Sequence, residues 1–283
     1  MPPAEAPADR DHPVIGFLTD FGLDGAAAIC RGVMLSIARD AQIIDICHTV
    51  EKYSIRDGAY LLAAALPWLP VGVHVAVVDP GVGTARRALG LLTGRGDVLI
   101  GPDNGLLMPA ARRLGGVTEA RLLRNPEWLL SVTSATFHGR DIFAPVAAHL
   151  ARGEPFEVVG PTIELEGVVD LPQPEPTVEA GVLWTGVTYV DSFGNLRLGG
   201  GIRELADAVG APELGMRLEI LLPDSVDPRD EHARWQRTFG EASPGELLAY
   251  QDSSGNLALA ESRGSAASRL GLRSGARIGI RRA

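Results

Sequence analysis

The chain has 283 residues, 46% hydrophobic and 22% charged, which suits one large or two smaller globular domains with ample core. Its formal net charge of −9 argues against a nucleic-acid-binding surface, which needs a basic patch, and no segment is long and apolar enough to cross a membrane. Its only two cysteines, Cys30 and Cys47, sit inside apolar stretches and read as buried, reduced thiols of a cytoplasmic protein rather than as a disulfide framework.

Residues 1–12 are rich in Pro, Ala and charge, lack the apolar core of a signal peptide, and are expected to be disordered. Residues 14–18 read as a buried strand that ends at Thr19-Asp20-Phe21-Gly22. Residues 25–39 follow with Ile29, Val33, Leu35 and Ile37 at helical spacing. A second strand over 43–47, a second helix over 55–66 and a third strand over 73–78 complete a βαβαβ alternation. That alternation predicts a mostly parallel sheet covered on both faces. Residues 89–92 and 98–100 add strands, and 104–114 and 141–152 add helices. Prolines at 172, 174 and 176 mark residues 172–177 as a stiff linker between an α/β domain over 13–171 and a second domain over 178–283. The second domain carries short alternating strands at 181–190, 218–222, 246–250, 256–260 and 276–280, the pattern of a small antiparallel barrel or sandwich.

The most informative stretch is Val77-Val78-Asp79-Pro80-Gly81-Val82-Gly83-Thr84-Ala85-Arg86-Arg87, where a buried strand delivers an acid to a Gly-rich loop ending in two arginines. Its glycines have neither the phosphate-loop nor the dinucleotide spacing, so the acid and the arginine carry the chemistry. Three further loops follow predicted strands or open helices: Thr19-Asp20-Phe21-Gly22, Pro102-Asp103-Asn104-Gly105, and Thr136-Phe137-His138-Gly139-Arg140-Asp141. Each has a bland alternative. Asp20 could cap the following helix, Asp103-Asn104-Gly105 is good turn chemistry, and His138 alone could be an ordinary core or surface residue. In a parallel sheet, however, the carboxyl ends of all strands share one edge, so these loops can meet in one crevice. A carboxylate, a guanidinium and an imidazole gathered there can bind, orient and polarise a water. No His/Cys cluster has zinc-site spacing, and no Gly-x-Ser-x-Gly elbow occurs, so a required metal and a serine nucleophile are not expected. In the second domain, Tyr189-Val190-Asp191-Ser192-Phe193-Gly194-Asn195 reads either as a hairpin turn or as a site for a ring-bearing, ammonium-bearing ligand. Gly264-Ser265-Ala266-Ala267 reads as a helix start.

Six motifs in order (Thr-Asp-Phe-Gly, Val-Asp-Pro-Gly-Val-Gly-Thr-x-Arg-Arg, Pro-Asp-Asn-Gly-Leu, Thr-Phe-His-Gly-Arg-Asp-Ile-Phe, Asp-x-Phe-Gly-Asn and Gly-Ser-Ala-Ala) resemble the S-adenosyl-L-methionine (SAM) hydroxide adenosyltransferase family. These are the SAM hydrolases related to fluorinase and chlorinase, and the resemblance runs from about residue 14 to residue 281. It implies an α/β N-terminal domain, a C-terminal β-barrel, and a homotrimer whose sites lie between the first domain of one subunit and the second of its neighbour. The implied reaction is attack of water or hydroxide on the ribose 5′-carbon, releasing L-methionine and adenosine, with SAM as substrate, water as co-substrate and no cofactor or metal. The family's catalytic set falls on Asp79, Arg86 and His138. By the same matching Asp20 meets the ribose hydroxyls, Tyr53 sits against the ligand, and Asn104, Phe137 and Gly139 belong to the site loops. From the barrel, Asp191 and Asn195 hold the methionine ammonium and the adenine region between them, while Phe193 and Phe239 supply stacking surface. Tyr250 and Ser253 lie at the methionine end, and backbone near Glu261 and Arg263 meets the adenine edge.

The chain departs from the halogenases at four places. They carry a Tyr at the Asp79 position, a Ser or Gly where this chain has His138-Gly139, and an insertion that residues 89–101 are too short to hold. Ser254 also stands where they carry an arginine. A halide beside Asp79 is disfavoured by like-charge repulsion, which makes water the nucleophile. The competing readings are a halide-dependent SAM transferase and a SAM- or adenosine-binding protein without turnover.

Overall fold

The computed structural model describes residues 13–131, 134–172, 175–223 and 230–283. The expected disorder over 1–12 and the linker residues 173 and 174 lie outside the described residues. Contacts divide the chain into two compact units that meet at Leu171 and Pro172.

The first unit runs β1 (Val14–Thr19), α1 (Ala26–Ile37), β2 (Gln42–Cys47), α2 (Ile55–Ala65), β3 (Val73–Val77), β4 (Ala88–Thr93), β5 (Val98–Pro102), α3 (Met108–Arg113), β6 (Val117–Leu122), α4 (Ala144–Ala151) and β7 (Thr162–Ile163). Its seven strands form one sheet in the order β2-β1-β3-β5-β4-β6-β7. Strands β2, β1, β3 and β5 pair in parallel, and β4 and β7 run against their neighbours, so the sheet is mostly parallel. Side-chain alternation splits the core between the faces. Ile15, Phe17, Val73, Val75 and Val77 pack with Cys30 and Met34 of α1 and Val146 and Ala147 of α4. Leu18, Ala76, Val78, Leu89, Leu91 and Leu99 pack with Ala59 and Leu62 of α2 and Ala110 and Ala111 of α3. The one polar residue inside β3, His74, is fully buried; its Nε2 lies 3.0 Å from Asp97 Oδ1, while its Nδ1 is buried without a hydrogen-bond partner.

Two predicted helices begin differently. The helix expected over 104–114 starts only at Met108, because Asn104 uses its side chain to make a turn instead. The one expected over 141–152 opens with a wide π-type turn, Gly139–Phe143, before α4. Strands β6 and β7 were not expected: β6 carries Glu119 and Arg121, charges that hide its strand character, and β7 has only two residues. Cys30 is buried, as expected, but Cys47 is half-buried, at the end of β2 where the chain leaves the sheet.

The second unit runs β8 (Thr177–Glu179), β9 (Val182–Val190), β10 (Leu196–Gly201), α5 (Ile202–Val209), β11 (Arg217–Leu221), β12 (Glu231–Trp235), β13 (Leu247–Gln251), β14 (Asn256–Glu261), α6 (Ala266–Leu270) and β15 (Arg277–Arg282). Seven of these strands close into a ring, β9-β10-β14-β13-β12-β11-β15 and back to β9. The long β9 makes closure possible: its first half pairs with β8 and its second half with β10 along the same edge. The barrel-or-sandwich alternative thus resolves to a barrel. Leu183, Val187, Leu196, Leu218, Ile220, Leu259, Ile278 and Ile280 point inward and form its core. Strands β8, β10 and β12 and helix α5 were unexpected; β10 is Gly-rich and β12 (Glu-His-Ala-Arg-Trp) is mostly polar. Ser265 caps α6 by accepting from the Ser268 N–H at 3.1 Å, as the Gly-Ser-Ala-Ala motif suggests.

Candidate active site

Strand β3 hands Asp79 to the Gly-rich loop at the carboxyl edge of the sheet. The loop curls back on itself: Val82 N–H donates to Asp79 O at 3.2 Å, Thr84 N–H to Gly81 O at 3.2 Å, and Arg86 N–H to Thr84 Oγ1 at 3.2 Å. Those turns bring Arg86 onto Asp79. Arg86 Nε donates to Asp79 Oδ1 at 3.1 Å and its Nη2 donates to Oδ2, a two-point pairing that fixes both groups. The pair is nearly dry, with side-chain exposures of 7% and 5%. The same Nη2 reaches His138 Nδ1 at 3.0 Å, and the guanidinium carbon lies 5.5 Å from the Phe143 ring centroid. Arg87 faces elsewhere, pairing with Asp103 and donating to Gly167 O. The two adjacent arginines therefore serve different ends.

His138 reaches Arg86 because the two loops touch at Gly83. That residue adopts φ +78°, and a Cβ there would lie 2.4 Å from Ala135 O, so only glycine allows the approach. Behind His138 the wide turn is pinned by Asp141, fully buried, which pairs with Arg140 and accepts the Ser134 N–H at 2.7 Å. A guanidinium only donates, so His138 Nδ1 is the acceptor and the neutral ring keeps its proton on Nε2. Burial, reinforced by the Arg86 charge, lowers the His138 pKa below its ordinary value of 6.5, against the opposing pull of Asp79 and Asp141.

Asp20 lies on the same sheet edge, its N–H donating to Val77 O at 3.3 Å. It does not cap α1, whose N-cap is Gly25 with no side-chain bond; instead its Oδ2 accepts the Tyr53 N–H at 3.0 Å. Tyr53 is 71% exposed and sits in the left-handed region at φ +66°, unusual for a bulky residue. Asn104 donates to Val78 O at 2.9 Å and accepts from Leu106 N–H, which ties its loop to the residue before Asp79. Phe137 packs edge-on against Phe21 at 5.8 Å, under the Arg140 guanidinium. Gly139 is buried, and a Cβ there would lie 2.9 Å from Phe21 Cζ. Beside it, burial pushes the Cys30 thiol up to about 12, which makes it chemically quiet.

The eight barrel residues singled out by the sequence line one open cavity of about 1090 Å³: Asp191, Phe193, Asn195, Phe239, Tyr250, Ser253, Glu261 and Arg263. The hairpin-turn reading of Asp191 holds as well. Its Oδ1 accepts from the N–H groups of Phe193 and Asn195 at 3.0 and 2.9 Å, and its Oδ2 accepts from Asn195 Nδ2 at 2.9 Å. Phe193 stands 76% exposed on the cavity wall, and Phe239 packs edge-on against Tyr250 at 5.0 Å. Arg263 is left-handed at φ +58°. Ser254 donates its N–H to Asp252 Oδ1 at 2.8 Å and serves the turn there. The wall also holds Arg197, Arg237 and Asp252, which the sequence reading missed; Arg197 donates to Asp252 at 2.8 Å. Their signal was position: Arg197 alternates with inward Leu196 and Leu198 on β10, and Asp252 follows β13 directly. Among the described residues, no group of three or more His, Cys, Asp and Glu side chains could hold a metal ion.

An α/β unit with this strand-end cluster, followed by a closed barrel with an aromatic-walled cavity, has direct counterparts. The sequence profile of the SAM hydroxide adenosyltransferase N-terminal domain matches residues 15–160, and that of its C-terminal domain matches residues 185–279. The chain belongs to the SAM hydroxide adenosyltransferase family. It is 46% identical over 269 residues to a Salinispora tropica protein named (R)-S-adenosyl-L-methionine hydrolase, covering 95% of this chain and 97% of that one. A Thermus thermophilus protein of the same name is 39% identical over 92% of this chain and 96% of its own. A fluorinase from Actinopolyspora mzabensis is more distant, at 30% identity over 96% and 98% of the two chains. A crystal structure of a conserved protein from Thermotoga maritima superposes with a TM-score of 0.84 at 36% identity, over 95% of this chain and all of that one.

Proposed function

We propose that this chain hydrolyses S-adenosyl-L-methionine to adenosine and L-methionine, by attack of water on the ribose 5′-carbon. The observation that carries the reading is the convergence of Asp79, Arg86 and His138 within hydrogen-bond reach, in a chain so similar along its whole length to a named SAM hydrolase. Displacement breaks the C5′–S bond, and its electron pair leaves on sulfur as a neutral thioether, so the leaving group needs no proton. The enzyme's work is to hold one water in line with that bond and to take up its proton. Asp79 accepts from the water through lone pairs that Arg86 leaves open, and the His138 Nε2–H is available to orient the water's oxygen. Arg86 fixes the two and balances the carboxylate's charge. The released proton passes from Asp79 to solvent.

On this reading Asp20 meets the ribose hydroxyls, Tyr53, Asn104, Phe137 and Gly139 shape the first unit's half of the site, and the barrel cavity takes the aromatic and amino-acid ends. The enzyme uses no cofactor, acts as a homotrimer in which each site joins halves from two subunits, and works in the cytoplasm, in keeping with its free thiols. The fluorinase relatives supply the alternative nucleophile, a halide; the Asp79 carboxylate on the site wall favours water instead. Incubating the protein with SAM in halide-free and in chloride buffer tests the proposal. Adenosine and methionine are expected in both. A 5′-chloro-adenosine product in chloride would replace water with halide, and no product on long incubation would leave a binding protein.

A further inference from the structure

We propose that His48 is a positioning residue for the ribose-binding end of the site, holding Asp20 and Tyr53 in place through a Thr19–His48–Asp45 hydrogen-bond relay. The inference rests on the proposed SAM-hydrolase reading, in which Asp20 meets the ribose hydroxyls. His48 follows β2, beside the end of β1, and is held on four sides. Its Nδ1 lies 2.9 Å from Thr19 Oγ1, its Nε2 lies 2.9 Å from Asp45 Oδ1, and its ring packs edge-on to Phe17 at 4.8 Å. Its backbone oxygen accepts the Gly22 N–H at 2.7 Å.

The neutral ring with its proton on Nε2 satisfies every link and gives the Thr19 hydroxyl hydrogen an acceptor. Phe21 N–H donates to Thr19 Oγ1, the Thr19 hydroxyl donates to His48 Nδ1, and His48 Nε2–H donates to Asp45, whose other oxygen pairs with Arg31 of α1. Thr19 is fully buried, so its hydroxyl is no nucleophile, and its need for partners makes the relay costly to break. The consequence falls on residue 20. Thr19 and Gly22, on either side of Asp20, are both anchored to His48, while Asp20 itself grips the Tyr53 N–H and keeps that residue left-handed. Removing the relay frees the turn that aims the carboxylate and leaves the sheet intact.

The ligand pair adenosine and 2′-deoxyadenosine reads this directly, because a loss of general stability weakens both alike. Calorimetric titration of the wild-type protein should give adenosine at least about tenfold tighter binding, the worth of one hydroxyl on a carboxylate. Asp20→Ala should erase that ratio, Thr19→Val should bring it below about threefold, and Thr19→Ser should restore it. Asp45→Ala, at the half-exposed end of the relay, gives the same reading if Thr19→Val does not fold. A wild-type ratio retained in folded Thr19→Val or Asp45→Ala overturns the role of His48, as does a wild-type protein indifferent to the 2′-hydroxyl. Absence of both adenosine binding and SAM turnover in the wild type would fail the functional reading itself.

Discussion

The direction of one hydrogen bond governs the chemistry at Asp79, Arg86 and His138. Arg86 can only donate, so it fixes the neutral histidine with its proton on Nε2, and protonating Nδ1 would set a donor and a positive charge against the guanidinium. Burial and Arg86 already hold the His138 pKa below 6.5, so the ring is neutral at pH 7. The pH profile of kcat/KM should then be flat through neutrality and fall only on the acid side of 6.5, as His138 takes up its second proton. In His138→Asn that acid limb should disappear along with most of the rate. Asp79→Asn and His138→Ala should each slow adenosine release by at least about a hundredfold, measured by product separation at saturating SAM. At this scale the sequence was informative where chemistry demands a residue type, as at Asp79. Residue type and spacing alone do not separate Arg86 from Arg87; the family resemblance singled out Arg86, and the curl of the loop turns Arg86 onto Asp79 and Arg87 onto Asp103.

Among the elements, the two loops that build the cluster depend on backbone approach more than on side chains. Gly83 is the contact point, and Gly83→Ala must both leave the left-handed region and push against Ala135 O. The expected cost is about 1–3 kcal/mol in urea unfolding, with a fall in adenosine release because the His138 loop is displaced. Gly83→Ala that loses stability but keeps full activity would show that the loops need not touch. Strands β1, β3 and β5 were legible because they are buried on both faces and read as apolar runs. Strand β6, with Glu119 and Arg121, and strand β12, with Glu231 and Arg234, were not, since their charges leave no apolar run to read. The start of α3 was misplaced for a related reason: Asn104 competes for the backbone with its own side chain.

Across the whole molecule, each unit holds a buried, ion-paired carboxylate, Asp97 with Arg95 in the first and Asp252 with Arg197 in the second. The first has an ionic pin at the sheet end away from Asp79, where Asp97 accepts from His74, Arg95 and the Gly72 N–H. Burial alone would raise the Asp97 pKa, yet hydrogen bonds from His74 and Arg95 outweigh it and hold the carboxyl at about 2, against 3.8 for an unperturbed Asp. The folded pKa is the lower one, so this contribution to stability is complete above 3.8 and is lost as pH falls through 2. The gap in melting temperature between wild type and Asp97→Asn should therefore be widest near neutrality and narrow as pH drops below 3.8. A gap independent of pH would assign the loss to packing. An α/β unit followed by a β unit was legible from the change in periodicity, and the family resemblance implied the barrel, but strand spacing alone left barrel and sandwich open. Closure needs β15 to find β9, a pairing of residues 277–281 with 182–186 that is far apart in sequence and leaves no local mark.

That closure has a consequence for synthesis. Every strand of the first unit has emerged by residue 163, so its sheet, with Asp79, Arg86 and His138, can assemble while translation continues. The barrel cannot: the partner that seals β9 lies at 277–282, and until then β9 and β11 each offer the nascent chain an unpaired edge. The second unit is thus the aggregation-exposed one during translation, and its closure waits for β15.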